Sequence, residues 1–283
     1  MKFLSRSYMF IIFALLYAPI LVVILFSFNA SGNLSSFSGF TLYWYKDLFR
    51  SGEALEALKN SLILAVCSSA LATILGTLAS FSIAHSKNKY YQTIMKSVTN
   101  IPMMNPDIVT GVSMMLLFVG VGFMLKLDSV LGFWTMLIAH TTFNLPYVIL
   151  SILPKFKQMD KHLIEAALDL GCTPTQTFFK IEVPSIMPGI ISGLMMSFTL
   201  SLDDFVISHF VSSPDFKTLP LYIYNQTAHE VKFSMYALCT LIILTILVLL
   251  ISVNLAGAKK DKPVAHNKPH RIAKAAKKGE LAK

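Results

Sequence analysis

Six apolar runs divide this chain, at positions 8–28, 61–84, 108–125, 131–153, 186–211 and 235–256, and only the fifth contains Asp or Glu. Crossing about 30 Å of hydrocarbon takes roughly 20 apolar residues in a helix. Lipid offers the backbone no hydrogen bonds, so a spanning segment must satisfy its own N–H and C=O groups, and runs of this length do so as helices. The composition agrees. The chain is 54% hydrophobic and 14% charged, against roughly 45–50% and 25% for a soluble domain. The expected fold class is therefore an all-α membrane protein with six transmembrane helices.

The first run follows Lys2 and Arg6, as a secretory leader would. Its apolar core exceeds the roughly 7–15 residues of such leaders, and Phe28-Asn29-Ala30 lacks a small-x-small cleavage pattern. It reads as a retained first helix, with Pro19 as a site for a kink. With the N-terminus in the cytoplasm, alternate loops place 18 of the 24 Lys and Arg inside and six outside, so both termini are expected in the cytoplasm. Half of the inside charge lies in the basic tail 257–283, which accounts for much of the net charge of +9. That tail reads as a solvated positive-inside segment or as a contact for anionic lipid, and no nucleic-acid partner is expected. Cys67, Cys172 and Cys239 fall in two spans and one loop, with neither disulfide nor metal spacing.

Between the first two runs, GFTLYWYKDLF (39–49) clusters Trp44 with Tyr43, Tyr45 and Phe49 as an interfacial anchor. In the second run Ala72, Gly76, Ser80 and Ala84 recur every fourth residue, a ridge on which another helix can pack closely. His140, Asn144 and Pro146 bring polar atoms and an expected helix break into the fourth run. They read either as part of a pathway or as polar groups satisfied by a neighbouring helix. Phosphate-binding, metalloprotease and serine-hydrolase motifs are absent from the sequence, so no catalytic residue, metal site or cofactor is assigned to this chain.

The most polar central stretch is EAALDLGCTPTQTFFKIEVP, 165–184. Asp160 is placed to cap a helix over 161–170, whose apolar stripe is Leu163, Ala166, Ala167 and Leu170, with Glu165 and Asp169 on another side. Gly171 stands where a left-handed residue ends such a helix. Thr173-Pro174-Thr175-Gln176 supplies an N-cap, a first-turn proline and a capping box for a second short helix that ends at Pro184. Two readings are open: an ordinary interfacial hairpin, or a docking element whose alanine face and acids receive a partner's basic side chains.

The spacing Glu165-Ala166-Ala167, then Gly171, then Ile181-Glu182-Val183-Pro184 resembles the EAA-x3-G-x9-I-x-L-P loop of permease subunits of bacterial ABC importers, with Val183 in place of leucine. The stretches NPDIVTGVSMMLLFV, GFWTMLIAHTTFNLPYV, FTLSLDDFVISHFVSSP and LPLYIYN extend the likeness, over roughly 39–226, to the C-type permeases of spermidine/putrescine importers. The resemblance implies a type I ABC importer permease fold with a cytoplasmic coupling helix, in a bacterial inner membrane. Glu165, Ala166, Ala167, Asp169 and Gly171 would couple to an ATPase. The implied partners are a homologous second permease, two ATPase subunits that carry the ATP and Mg, an extracytoplasmic polyamine-binding protein, and membrane lipid. The chain divides accordingly into 1–57, a first helix with its outer segment; 58–256, the permease core with its EAA loop at 160–184; and the tail 257–283.

Ionisable residues inside a membrane mark function by default. In the fifth run Gly193, Ser197, Ser201, Asp204 and Ser208 fall on one continuous small polar stripe of a helix, which favours Asp204 over Asp203 as the acid facing a pathway. The alternative is a carboxylate buried against serines at a helix contact. Asn105-Pro106-Asp107 reads as an N-cap and first turn where an acid suits the helix dipole, while the resemblance puts Asp107 on the inner part of a pathway. The substrate-pathway candidates are thus Asp204, Asp203, Asp107 and Ser201. Rival cargoes are another small organic cation or an organophosphonate. An ion-driven secondary transporter is disfavoured because the six runs show no inverted repeat.

Overall fold

The computed structural model describes residues 2–32, 36–50, 52–126, 130–228 and 232–258. The basic tail therefore lies, from residue 259 on, outside the described residues. The elements are α1 (Lys2–Phe26), α2 (Tyr43–Arg50), α3 (Gly52–His85), α4 (Lys89–Met104), α5 (Asp107–Leu125), α6 (Phe133–Gln158), α7 (Lys161–Asp169) and α8 (Pro174–Thr177). A π turn (Phe178–Glu182) leads into α9 (Val183–Asp203), followed by α10 (Val206–Val211), α11 (Leu219–Thr227) and α12 (Phe233–Ala258). Among the described residues the only strand-like pairings are the isolated bridges Asn29 to Phe40 and Ser213 to Phe216. Helices α1, α3, α5, α6 and the α8–α9 stretch are long and apolar enough to cross a membrane, and α12 adds a shorter apolar stretch, Phe233–Val248.

The chain forms two compact units, 1–45 with 233–283, and 46–232. In the first, α1 packs on α12. α1 runs unbroken through Pro19 and exposes large apolar side chains from Tyr8 to Leu25. Trp44 is half-buried, its indole N–H donating to the carbonyl of Asn29 at 2.8 Å and its ring 5.4 Å from that of Phe233. Trp44 thus folds back on its own unit, while Phe40, Tyr43 and Phe49 stay exposed, as an interfacial segment requires.

The second unit is built on three helices, α3, α6 and α9. The small-residue ridge of α3 does what its spacing predicts: a Cβ on Gly76 would lie 2.6 Å from Cγ1 of Val148 on α6. On α9, Gly189 approaches α6 so closely that a Cβ would be 3.0 Å from the carbonyl oxygen of Ser151. Val148, Ile152 and Ile186 are fully buried where the three helices meet. Towards the other end, Leu64, Met136, Phe143, Ile207 and Val211 bring α10 into a second core.

Three sequence expectations fail here for identifiable reasons. Pro146 does not break α6, which continues through it and through Pro154. The fifth run is two helices, because Asp204 is extended (φ −67°, ψ 121°) between α9 and α10. Asn105 ends α4, leaving Pro106 as the N-cap and Asp107 as the first residue of α5. Helix α4 itself is too polar to register as a membrane run. Asn88 caps it by accepting from the amides of Tyr90 and Tyr91, and Met95 packs against Ile83, Ile149 and Leu153.

Candidate functional site

Two groups of residues stand out in the second unit, one in the α6–α9 connection and one at the α9–α10 break. The connection begins where Asp160 accepts from the amide of His162 at 3.0 Å, which starts α7. Its end is a Schellman motif: the amide of Cys172 donates to Ala167 at 3.0 Å and that of Gly171 to Leu168 at 2.9 Å. The motif requires a left-handed residue, and Gly171 has φ +83°. Thr173 and Gln176 then exchange side-chain and backbone bonds at 3.1 and 3.3 Å in the expected capping box.

Beyond the capping box the chain departs from expectation. The second helix does not stop at Pro184 but widens into the π turn and continues as α9, with Val183 donating to the carbonyl of Phe178. The wide turn accommodates Pro184, which has no N–H to give and whose ring would crowd the preceding turn of a regular α-helix.

Of the residues assigned to ATPase coupling, Glu165, Ala166, Asp169 and Gly171 are exposed, and Ala167 is buried against the rest of the unit. Beside them Leu163, Leu170 and Phe179 are 49%, 86% and 64% exposed. The connection thus presents an apolar surface edged by acids.

At the α9–α10 break the two adjacent acids part. Asp204 turns inward: its carboxylate caps α10, accepting from the amides of Ile207 and Ser208 at 3.3 and 2.8 Å, and its side chain is 8% exposed. It also lies 3.5 Å from Nε2 of His140. His140 is held from both sides, with Ser201 Oγ 2.8 Å from Nδ1 and Ser208 Oγ 3.2 Å from Nε2. Ser201 in turn is 2.8 Å from Ser68 Oγ on α3. The result is a buried polar chain that joins α3, α6, α9 and α10.

Asp203, the last residue of α9, is exposed and forms no hydrogen bond or ion pair among the described residues. The polar stripe that favours Asp204 requires a continuous helix, and the break removes it. Asp107 is exposed as well, at the start of α5. One turn further on, Gly111 lies against α10, where a Cβ would be 2.9 Å from the ring of Phe210 and 3.5 Å from the carbonyl oxygen of Val206. Among the described residues no group of His, Cys, Asp and Glu is arranged to hold a metal.

Sequence reasoning misses that His140 organises this cluster, although a histidine within an apolar run is itself a signal. It also misses Glu182, a carboxylate set just before a run of apolar residues.

The profile of the family described as "Binding-protein-dependent transport system inner membrane component" matches residues 72–260. The chain belongs to that family. It is therefore a transport subunit of the inner membrane and not an enzyme. Among curated relatives, it is 38% identical over 231 residues to the putrescine transport system permease protein PotI of Escherichia coli (strain K12), covering 82% of each chain. It is 35% identical over 261 residues to the spermidine/putrescine transport system permease protein PotC of the same strain, covering 92% of this chain and 96% of PotC. The PotC of Haemophilus influenzae is 36% identical over 259 residues, 92% and 98% of the two chains. Among solved structures, a bacterial ABC transporter involved in alginate import superposes with a TM-score of 0.72 at 11% identity over 91% of this chain and 95% of that one. The methionine transporter MetNI does so at 0.59 and 18% identity over 77% and 96%. These two establish the type I importer permease fold.

Proposed function

We propose that this chain is the permease subunit of an ATP-driven importer of polyamines, spermidine or putrescine, and forms half of the translocation pathway. The observation that carries this reading is the identity of 35–38% to polyamine permeases over 82–92% of the chain. The other half would be a homologous permease, with two copies of a separate ATPase holding ATP and Mg, and an extracytoplasmic binding protein that delivers the cargo. Both termini face the cytoplasm in this arrangement, as the distribution of Lys and Arg supports.

The mechanism rests on the two groups of residues. Glu165, Asp169 and Gly171 with their apolar neighbours form the surface that seats on the ATPase. ATP-driven movement there passes through the π turn into α9. Asp203 and Asp107, carboxylates without strong partners in the chain, attract the ammonium groups of a passing polyamine. Ser201 and Asp204 act one step behind, since with His140 they hold the α9–α10 break that presents Asp203. Two residues beyond Asp203, the ring of Phe205 lies 4.6 Å from that of Tyr224, tilted by 42°, and such rings can face an alkylammonium.

The test is uptake of labelled spermidine and putrescine by the complete transporter in cells lacking their own polyamine importers. Saturable, ATP-dependent accumulation of either is expected. Failure with both, together with uptake of another organic cation or a phosphonate, would refute the cargo while leaving the transport class intact.

A further inference from the structure

The junction between the connection and α9 holds one further pair of ionisable side chains. Within the π turn, Glu182 points its carboxylate into the unit, with its side chain 4% exposed. Its Oε2 lies 3.4 Å from Nε2 of His85, the last residue of α3. The other ring nitrogen of His85, Nδ1, is 3.1 Å from the carbonyl oxygen of Phe81. A carbonyl can only accept, so Nδ1 carries a hydrogen. At this separation Oε2 has no hydrogen bond among the described residues, and the contact is an ion pair when the imidazole is protonated. It places the end of α3 directly against the π turn.

Rings close around the contact. Phe81 of α3 lies 4.2 Å from His85 with the two rings tilted by 33°, and meets Phe178 of the π turn edge-on at 4.8 Å. Phe156 of α6 stands at 6.0 Å from His85 and 6.2 Å from Phe81. Phe178 faces this cage while the next residue, Phe179, is exposed beside the acids of the connection. One short turn thus has an outward side on the coupling surface and an inward side locked to α3 and α6. A π turn inserted in a helix is also a common mark of a functional site.

We propose that His85 and Glu182 form a latch that carries movement of the coupling segment into α3, which makes both of them positioning residues for ATP-driven transport. This rests on the reading of Glu165–Gly171 as the ATPase-docking surface. With the latch in place, displacement of α7 and α8 moves the ends of α3 and α6 as well as α9. Without it, the segment follows the ATPase while α3 stays behind, and ATP is hydrolysed without cargo moving.

The readout is the number of substrate molecules taken up per ATP hydrolysed by the purified complete transporter in proteoliposomes. The double variant His85→Leu/Glu182→Leu replaces both partners by apolar side chains, an exchange that buried pairs often tolerate in stability. It is expected to assemble with the ATPase and hydrolyse ATP, while uptake per ATP falls about fivefold or more. His85→Lys, which returns a cation to face Glu182, is expected to stay near the wild-type ratio. A merely structural role would lower the amount of assembled complex and leave the ratio unchanged. A double variant with the wild-type ratio overturns the latch. Should the double variant not assemble, His85→Ala against His85→Lys decides, because His85 is partly exposed at the end of α3. A low ratio for alanine restored by lysine supports the latch, and equal ratios overturn it. Glu165→Lys measured alongside separates the two readings. If it keeps full ATPase binding and uptake, the docking surface itself is wrong; if it fails as expected and the latch variants do not, only the latch is wrong.

Discussion

Replacing the two neighbouring acids one at a time should produce opposite defects. In Asp204→Ala the amides of Ile207 and Ser208 lose the carboxylate that caps α10. Loss of an N-cap costs about 0.5–2 kcal/mol, and a buried donor left without a partner costs about 1–3 kcal/mol. His140 keeps Ser201 and Ser208 but loses its negative neighbour. The sum is about 1.5–5 kcal/mol, roughly 10- to 4,000-fold in a folding equilibrium. In a thermal melt of detergent-solubilised protein this is a fall of about 3 °C or more. Asparagine caps nearly as well as aspartate, so Asp204→Asn should melt between alanine and wild type.

Asp203→Asn should leave the melt unchanged. Its carboxylate makes no described contact, and a negative charge at the C-terminal end of α9 opposes the helix dipole, so its removal does not weaken the fold. Uptake, however, loses one charge-assisted contact to an ammonium, worth about 1.5–3 kcal/mol. At that size the rate falls roughly tenfold or more. Both variants are compared at equal membrane abundance for melting temperature and for uptake of labelled polyamine. The reasoning is refuted if Asp204→Ala melts like wild type, or if Asp203→Asn transports like wild type.

The packing sets three further outcomes. Gly171→Val should weaken co-purification of the ATPase, because φ +83° costs a β-branched residue roughly 1 kcal/mol or more while a Cβ there meets nothing within 4 Å. Gly189→Leu should abolish accumulation of folded protein, measured by fluorescence-detected gel filtration, since even its first added carbon would sit 3.0 Å from the backbone oxygen of Ser151. Asn144→Leu should melt no lower than wild type, because Nδ2 and Oδ1 of this fully buried side chain have no hydrogen-bond partner among the described residues. A large destabilisation would show that Asn144 is satisfied in the membrane by something this chain does not supply.

The caps of the connection were legible because they are local. Asp160, Gly171 and the Thr173–Gln176 box each act on backbone groups within five residues, and sequence spacing fixes such geometry. The break within the fifth run was not legible, and proline inside an apolar run was a poor guide to such breaks. Pro146, Pro154 and Pro188 lie inside unbroken helices, while the break after Asp203 contains neither proline nor glycine. That break exists because Asp204 competes for the backbone amides ahead of it and is held in place by His140, a residue 64 positions earlier in the sequence. No window on the sequence contains both partners. The same holds for Glu182 and His85, which only the packing of α3 against the π turn brings together. Helix α4 escaped for a different reason: a search for long uncharged runs passes over an amphipathic helix of 16 residues.

The positions of the exposed acids on their helices bear on which matters more to a cation. Asp107 opens α5, where the unpaired amides of the first turn already offset a negative charge. Asp203 closes α9, where the last carbonyls are themselves unpaired and point the same way as the carboxylate. An ammonium arriving at Asp203 therefore meets a carboxylate reinforced by a helix C-terminus, and one arriving at Asp107 meets a carboxylate partly neutralised by a helix N-terminus. Stability alone would select Asp107 and select against Asp203, so Asp203 is the acid whose presence calls for a functional reason. Asp107→Asn should accordingly reduce polyamine uptake less than Asp203→Asn, while its melting temperature should fall slightly as α5 loses a favourable charge. The reverse order in uptake would mean that depth along the pathway, and not the polarity of the helix end, sets the contribution of each acid.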